Sequence, residues 1–117
     1  MRYMIFCDEG VTLTAAELLS PHFVQVKNQR FAEAIARQNG DVYIVTMSPA
    51  FSEDYEAACR AREDALERQP ERSIFVLDSR TAFGGELAVA RRLYDFLRSG
   101  MAPEQAVMET QNYIESL

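Results

Sequence analysis

Short apolar runs alternate with segments of helical period along the whole chain. Tyr3-Met4-Ile5-Phe6-Cys7 is an apolar run closed by the turn signal Asp8-Glu9-Gly10, which predicts a buried first strand. Thr14-Ala15-Ala16-Glu17 has capping-box spacing, so a short helix is predicted to about Leu19, stopped by Ser20-Pro21. Phe23 to Val26 alternates as a short edge strand. Asn28, Phe31, Ala34 and Ile35 predict a second helix, ended by Asn39-Gly40. Val42 to Met47 is β-branched and apolar on both faces, the pattern of a central parallel strand. Tyr55, Ala58, Cys59, Ala65 and Leu66 then fall at helical spacing as far as Pro70. Ile74 to Leu77 is a fourth strand, and Leu87, Ala90, Leu93, Tyr94 and Leu97 line the next helix, closed by Ser99-Gly100. Pro103 suits the first turn of a last helix, with the stripe Val107, Thr110, Ile114 and Leu117.

Strands and helices in this order predict one α/β domain over residues 1–117, a four-stranded, mostly parallel sheet with helices on both faces. Two copies of a strand, polar loop and helix stand out, Asp41 to Glu67 and Ser73 to Leu97. In an open α/β sheet, ligands bind in the crevice beyond the carboxyl ends of the strands. Ser48, Ser52, Asp78, Ser79, Gly84 and Gly85 are therefore expected along one edge.

Composition narrows the function. At 117 residues there is room for one core, and a net charge of −6 argues against sequence-independent nucleic-acid binding, which needs clustered Lys and Arg. No apolar run approaches the length of a membrane span, and the start MRYMIFCDEG lacks a signal-peptide pattern, so a cytoplasmic location is expected. Cys7 and Cys59 read as small buried hydrophobes in a reducing compartment.

Candidate chemistry is sparse. The lone histidine, His22, follows Pro21 in a loop and reads as a surface residue, which removes the usual nucleophilic sets. Ser52 reads first as an N-cap, Asp78-Ser79 as an Asx-type turn, and Gly84-Gly85 as a tight turn without the lysine of a phosphate loop. Asp8, Glu9, Asp54 and Asp78 at the strand ends are the one set that suits Mg²⁺ and phosphoryl chemistry, a minor alternative because the only lysine is Lys27.

The stretch from Val42 to Leu117 resembles the first domain of DegV-type proteins. MSPAFSEDYEAA is similar to the family's I-S-S-x-L-S-G-T-Y-Q-S-A, VLDSRTAFGG to its V-I-D-S-x-x-A-S with a Gly-rich helix start, and RSGMAPEQAV to its E-G-x-S-x-E-E-I. Asp8 stands where the family has the Asp of an early Asp-Ser pair. The resemblance implies fatty-acid binding, in some bacteria as the acyl-presenting subunit of a fatty acid kinase, with no enzymatic activity and no cofactor in this chain. It places Ser48, Ser52, Asp54, Asp78, Ser79, Gly84 and Gly85 at the ligand. It also implies that the family's second domain, the other wall of the lipid cleft, is absent.

The departures weaken the carboxylate site. Glu53-Asp54 replace the family's Gly-Thr, whose Thr helps hold the carboxylate, Phe83 replaces its second Ser, and Glu9 its early Ser. A ligand carboxylate about 5 Å from Glu53 or Asp54 meets repulsion of roughly 3 kcal/mol at an effective dielectric near 20. Charge-assisted hydrogen bonds from the Ser48 and Ser52 loops, at ~1–3 kcal/mol each, at best offset it. The expectation is a degenerate fatty-acid-binding domain, and the alternative is a ligandless homo-oligomer or partner-binding module that uses Phe51 and Phe83.

Overall fold

A computed structural model describes residues 2–81 and 85–117. Its elements are β1 (Tyr3–Cys7), α1 (Ala15–Leu19), β2 (Phe23–Gln25), α2 (Phe31–Ala36), β3 (Asp41–Thr46), α3 (Asp54–Arg68), β4 (Ile74–Asp78), α4 (Gly85–Arg98) and α5 (Pro103–Ser116). The four strands form one sheet in the order β2-β1-β3-β4, and every pairing is parallel. β2 is an edge strand, as its short alternation predicts, and β3 is central.

Period-2 alternation sends neighbouring side chains of the inner strands to opposite cores. Ile5, Cys7, Tyr43 and Val45 pack with Val89, Ala90 and Leu93 of α4 and Ala106 and Ile114 of α5. Phe6, Val42 and Ile44 pack on the other face with Phe31 and Ile35 of α2 and Ala58 and Ala61 of α3. Two-sided burial explains why β3 is apolar almost throughout.

Several expectations are corrected. α2 begins at Phe31 rather than Asn28, because Asn28 and Gln29 both take a left-handed backbone (φ 55°), which no helix continues through. α5 buries Ala106, Thr110 and Ile114, while Leu117, beyond the last helical residue, is 64% exposed. The stripe of α3 is narrower than expected, with Ala58 and Ala61 buried and Cys59 only half-buried. Cys7 is fully buried, as expected.

His22 is not a plain surface residue. Its ring stacks on Tyr3 at 4.2 Å between centroids and lies 5.9 Å from the Tyr94 ring, and Nδ1 is 3.0 Å from the Tyr3 carbonyl. The parallel register, which brings the start of β2 beside β1, makes the contact between residues 19 apart in sequence. Among the described residues, no helix is long and apolar enough to cross a membrane.

Candidate functional site

The chain leaves β1 toward one side of the sheet, to β2, and returns to pair β3 on the other side, so the connectivity reverses between β1 and β3. A crevice at such a reversal is the usual ligand position in this architecture. Asp8 closes its floor. Its Oδ2 accepts from the Met47 N–H at 2.9 Å and its Oδ1 from the Gly10 N–H at 2.9 Å, so the carboxylate ties the end of β1 to the end of β3. The Met47 side chain packs directly on Gly10, where a Cβ would lie 2.3 Å from its sulfur.

The serines end in local turns. Ser48 N–H donates to the Thr81 carbonyl at 2.9 Å and its Oγ accepts from Ala50 N–H at 3.3 Å. Ser52 stands one residue before the helix cap. Its Oγ accepts from Asp54 N–H at 3.0 Å, while the cap position itself is Glu53, which makes no side-chain capping bond. Asp78 Oδ1 accepts from Arg80 N–H at 2.8 Å, the Asx-type turn anticipated, and helps hold Arg80 at φ 59°. Ser79 is fully buried, its N–H donating to the Thr46 carbonyl and its Oγ lying 3.0 Å from the Thr81 hydroxyl. Gly85 packs against Thr81, whose methyl would lie 2.6 Å from an added Cβ. Gly84 and Phe83 lie outside the described residues.

The residues share the carboxyl edge of the parallel sheet and form two groups along it. Asp78 lines a cleft of about 340 Å³ beside the outer strand β4, with Tyr55, Arg80, Gln111, Ile114 and Glu115 among its walls. Ser52 and Asp54 instead stand with Asp8 at the β1–β3 crevice. Glu9 is turned to the Asn28 N–H, so Asp8, Glu9, Asp54 and Asp78 do not converge, and among the described residues no group of three suits a metal ion.

Glu86, in the first turn of α4, belongs to the crevice and was not singled out from the sequence. It is fully buried and its Oε2 accepts from the Asp8 N–H at 3.4 Å. Burial, then the Asp8 carboxylate beside it, push its carboxyl up to about 9, so it is protonated at neutral pH. Its Oε1 has no partner among the described residues. Burial and the adjoining Asp8 carboxylate also raise the Asp54 carboxyl, against the opposing hydrogen bonds of Ser52 and Gln29. A signal for Glu86 was present, since positions 86, 89, 90 and 93 are a helical stripe and Val89, Ala90 and Leu93 are its apolar members.

The floor is thus rich in acceptors, and its donors are Ser hydroxyls and the free N–H groups of a helix start. The family model for DegV, whose members it describes as uncharacterised proteins, matches residues 12–117. A DegV family protein from Ruminococcus gnavus, solved with vaccenic acid, superposes with a TM-score of 0.89 at 20% identity, over 97% of this chain and 54% of that one. The Streptococcus pneumoniae fatty acid kinase B3 protein, loaded with linoleic acid, gives 0.83 at 18%, over 98% and 55%. A fatty-acid-binding DegV family protein from Thermus thermophilus gives 0.82 at 15%, over 98% and 54%. The chain spans about half the length of these solved proteins, and at such identities the likeness establishes the fold. No curated protein matches the sequence.

Proposed function

The chain belongs to the DegV family, and from that premise we propose that it is a non-enzymatic lipid-binding domain whose carboxylate affinity is weakened. The observation that supports the reading is the meeting of the β1 and β3 ends, where Asp8 binds the Met47 N–H and the Asp54 carboxyl of the first turn of α3 lies beside it. The head group would meet the Ser48 and Ser52 loops, and Asp54 stands where a donor would serve a carboxylate better. Ser79 acts behind this front by tying the end of β4 to Thr46 of β3, while Asp78 holds the Arg80 turn and Gly85 packs on Thr81.

An acyl tail gains about 0.8 kcal/mol per buried methylene only along an apolar wall. The cleft beside β4 has polar and charged walls in Asp78, Arg80, Gln111 and Glu115, so the tail would pack on a surface supplied by a second copy or a partner domain. Phe51, 65% exposed in the loop before α3, is suited to that contact. The same exposed ring supports a second reading, a ligandless association module, because Ser48, Ser52 and Ser79 already satisfy local turns.

Thermal unfolding with increasing oleate separates the two readings. A lipid-binding domain gains stability with ligand concentration, by about 2.7 kcal/mol at a hundred times the dissociation constant. A pure association module shows no dependence on lipid and a dependence on protein concentration.

A further inference from the structure

We propose that Asp54 sets the head-group preference of the strand-end site, favouring an acyl lipid with an uncharged, hydrogen-bond-donating head, such as a primary amide or an alcohol, over the matching carboxylate. The inference rests on reading the β1–β3 crevice as a lipid head-group site. Asp54 faces Asp8 from the end of β1, Glu86 from α4, Gln29 from the loop before α2, and Ser52 from its own turn. Gln29 and Ser52 are neutral, and the remaining two are carboxyls, of which Glu86 keeps its proton at neutral pH.

The hydrogen bonds left unmade point the same way. Each Asp8 oxygen already accepts a backbone N–H, from Gly10 and from Met47, which fixes the carboxylate in place. Glu86, fully buried in the same cluster, has an oxygen without a partner among the described residues. The crevice is therefore richer in acceptors than in donors, which are the Ser hydroxyls, the Gln29 amide and the protonated Glu86. An amide or hydroxyl head brings a donor, whereas a carboxylate brings only further acceptors and a charge, with repulsion worth about a hundredfold in affinity at roughly 5 Å.

The test is competitive binding of oleamide, oleyl alcohol and oleate to wild type, D54N and D54S at about pH 7.5, where oleate is ionised. The expected result is oleamide bound at least ~10-fold more tightly than oleate by wild type, with the ratio shrinking in both variants. Equal or tighter oleate binding by wild type, or a ratio that neither substitution moves, overturns the proposal and leaves the lipid-site reading standing. If no lipid binds to any of the three proteins, the lipid-site reading itself fails and the proposal with it.

Discussion

The main-chain N–H of Asp8, at the end of β1, donates to the carboxyl of Glu86, 78 residues further along the chain, at 3.4 Å. The buried contact joins the first strand to the first turn of α4, at the point where the sheet reverses its order.

Glu86 should make the fold sensitive to base. Its carboxyl lies at about 9 in the folded chain against 4.5 when free, so the folded state holds the proton more tightly. The stability this confers is complete below about 4.5 and is lost as pH rises toward 9. E86Q, neutral at every pH and nearly the same shape, should flatten the decline and be the more stable protein by a few kcal/mol at about pH 8.5. Urea titrations across that range check it, and an unchanged slope would contradict it.

Asp8 should be the costliest carboxylate to remove. D8A leaves the Gly10 and Met47 N–H groups without their acceptor, at about 1–3 kcal/mol each where water cannot replace it. A loss of about 2–5 kcal/mol in chemical denaturation is expected. D8N, which keeps one carbonyl acceptor, should fall between the two.

The Glu17–Arg91 pair joins α1 to α4, and the Arg91 hydrogen bond, with help from Thr14, lowers the Glu17 carboxyl to about 2. A lowered carboxyl stabilises the fold above its free value of 4.5, and the effect disappears as pH falls toward 2. R91M should therefore unfold more easily than wild type at neutral pH. Arg91 is half exposed, so the difference is modest, and it should close in acid. Melting curves at neutral and acidic pH check both the sign and the window.

Phe51 tests the association surface. Because its ring is largely in solvent, F51S should change stability by no more than ~0.5 kcal/mol. If a second copy covers that ring, sedimentation will show the substituted protein shifted toward monomer. An unchanged sedimentation profile removes Phe51 from the interface.

Much of the architecture was legible because burial on both faces of the sheet writes itself into β3, and because Thr14 with Glu17 forms the capping box that its spacing announces. The site was less legible. Ser52 and Asp78 have the residue types of a ligand loop, yet each serves a backbone turn two residues on, and sequence does not separate these uses. Glu86 was hidden by its company, since a carboxyl on an apolar stripe becomes a site residue only when folding sets it against Asp8, across a separation no local pattern spans. His22 likewise acquires its aromatic neighbours only through the register of β2 on β1.

The central claim, a lipid head-group site at the β1–β3 crevice disabled for carboxylates by Glu53 and Asp54, is tested most directly by native mass spectrometry of wild type and E53G/D54T, each purified without added lipid. The account predicts an adduct of fatty-acid mass on the double variant at clearly higher occupancy than on wild type. Equal occupancy would show that the two acidic residues do not weaken carboxylate binding, and bare protein in both samples would contradict the site itself.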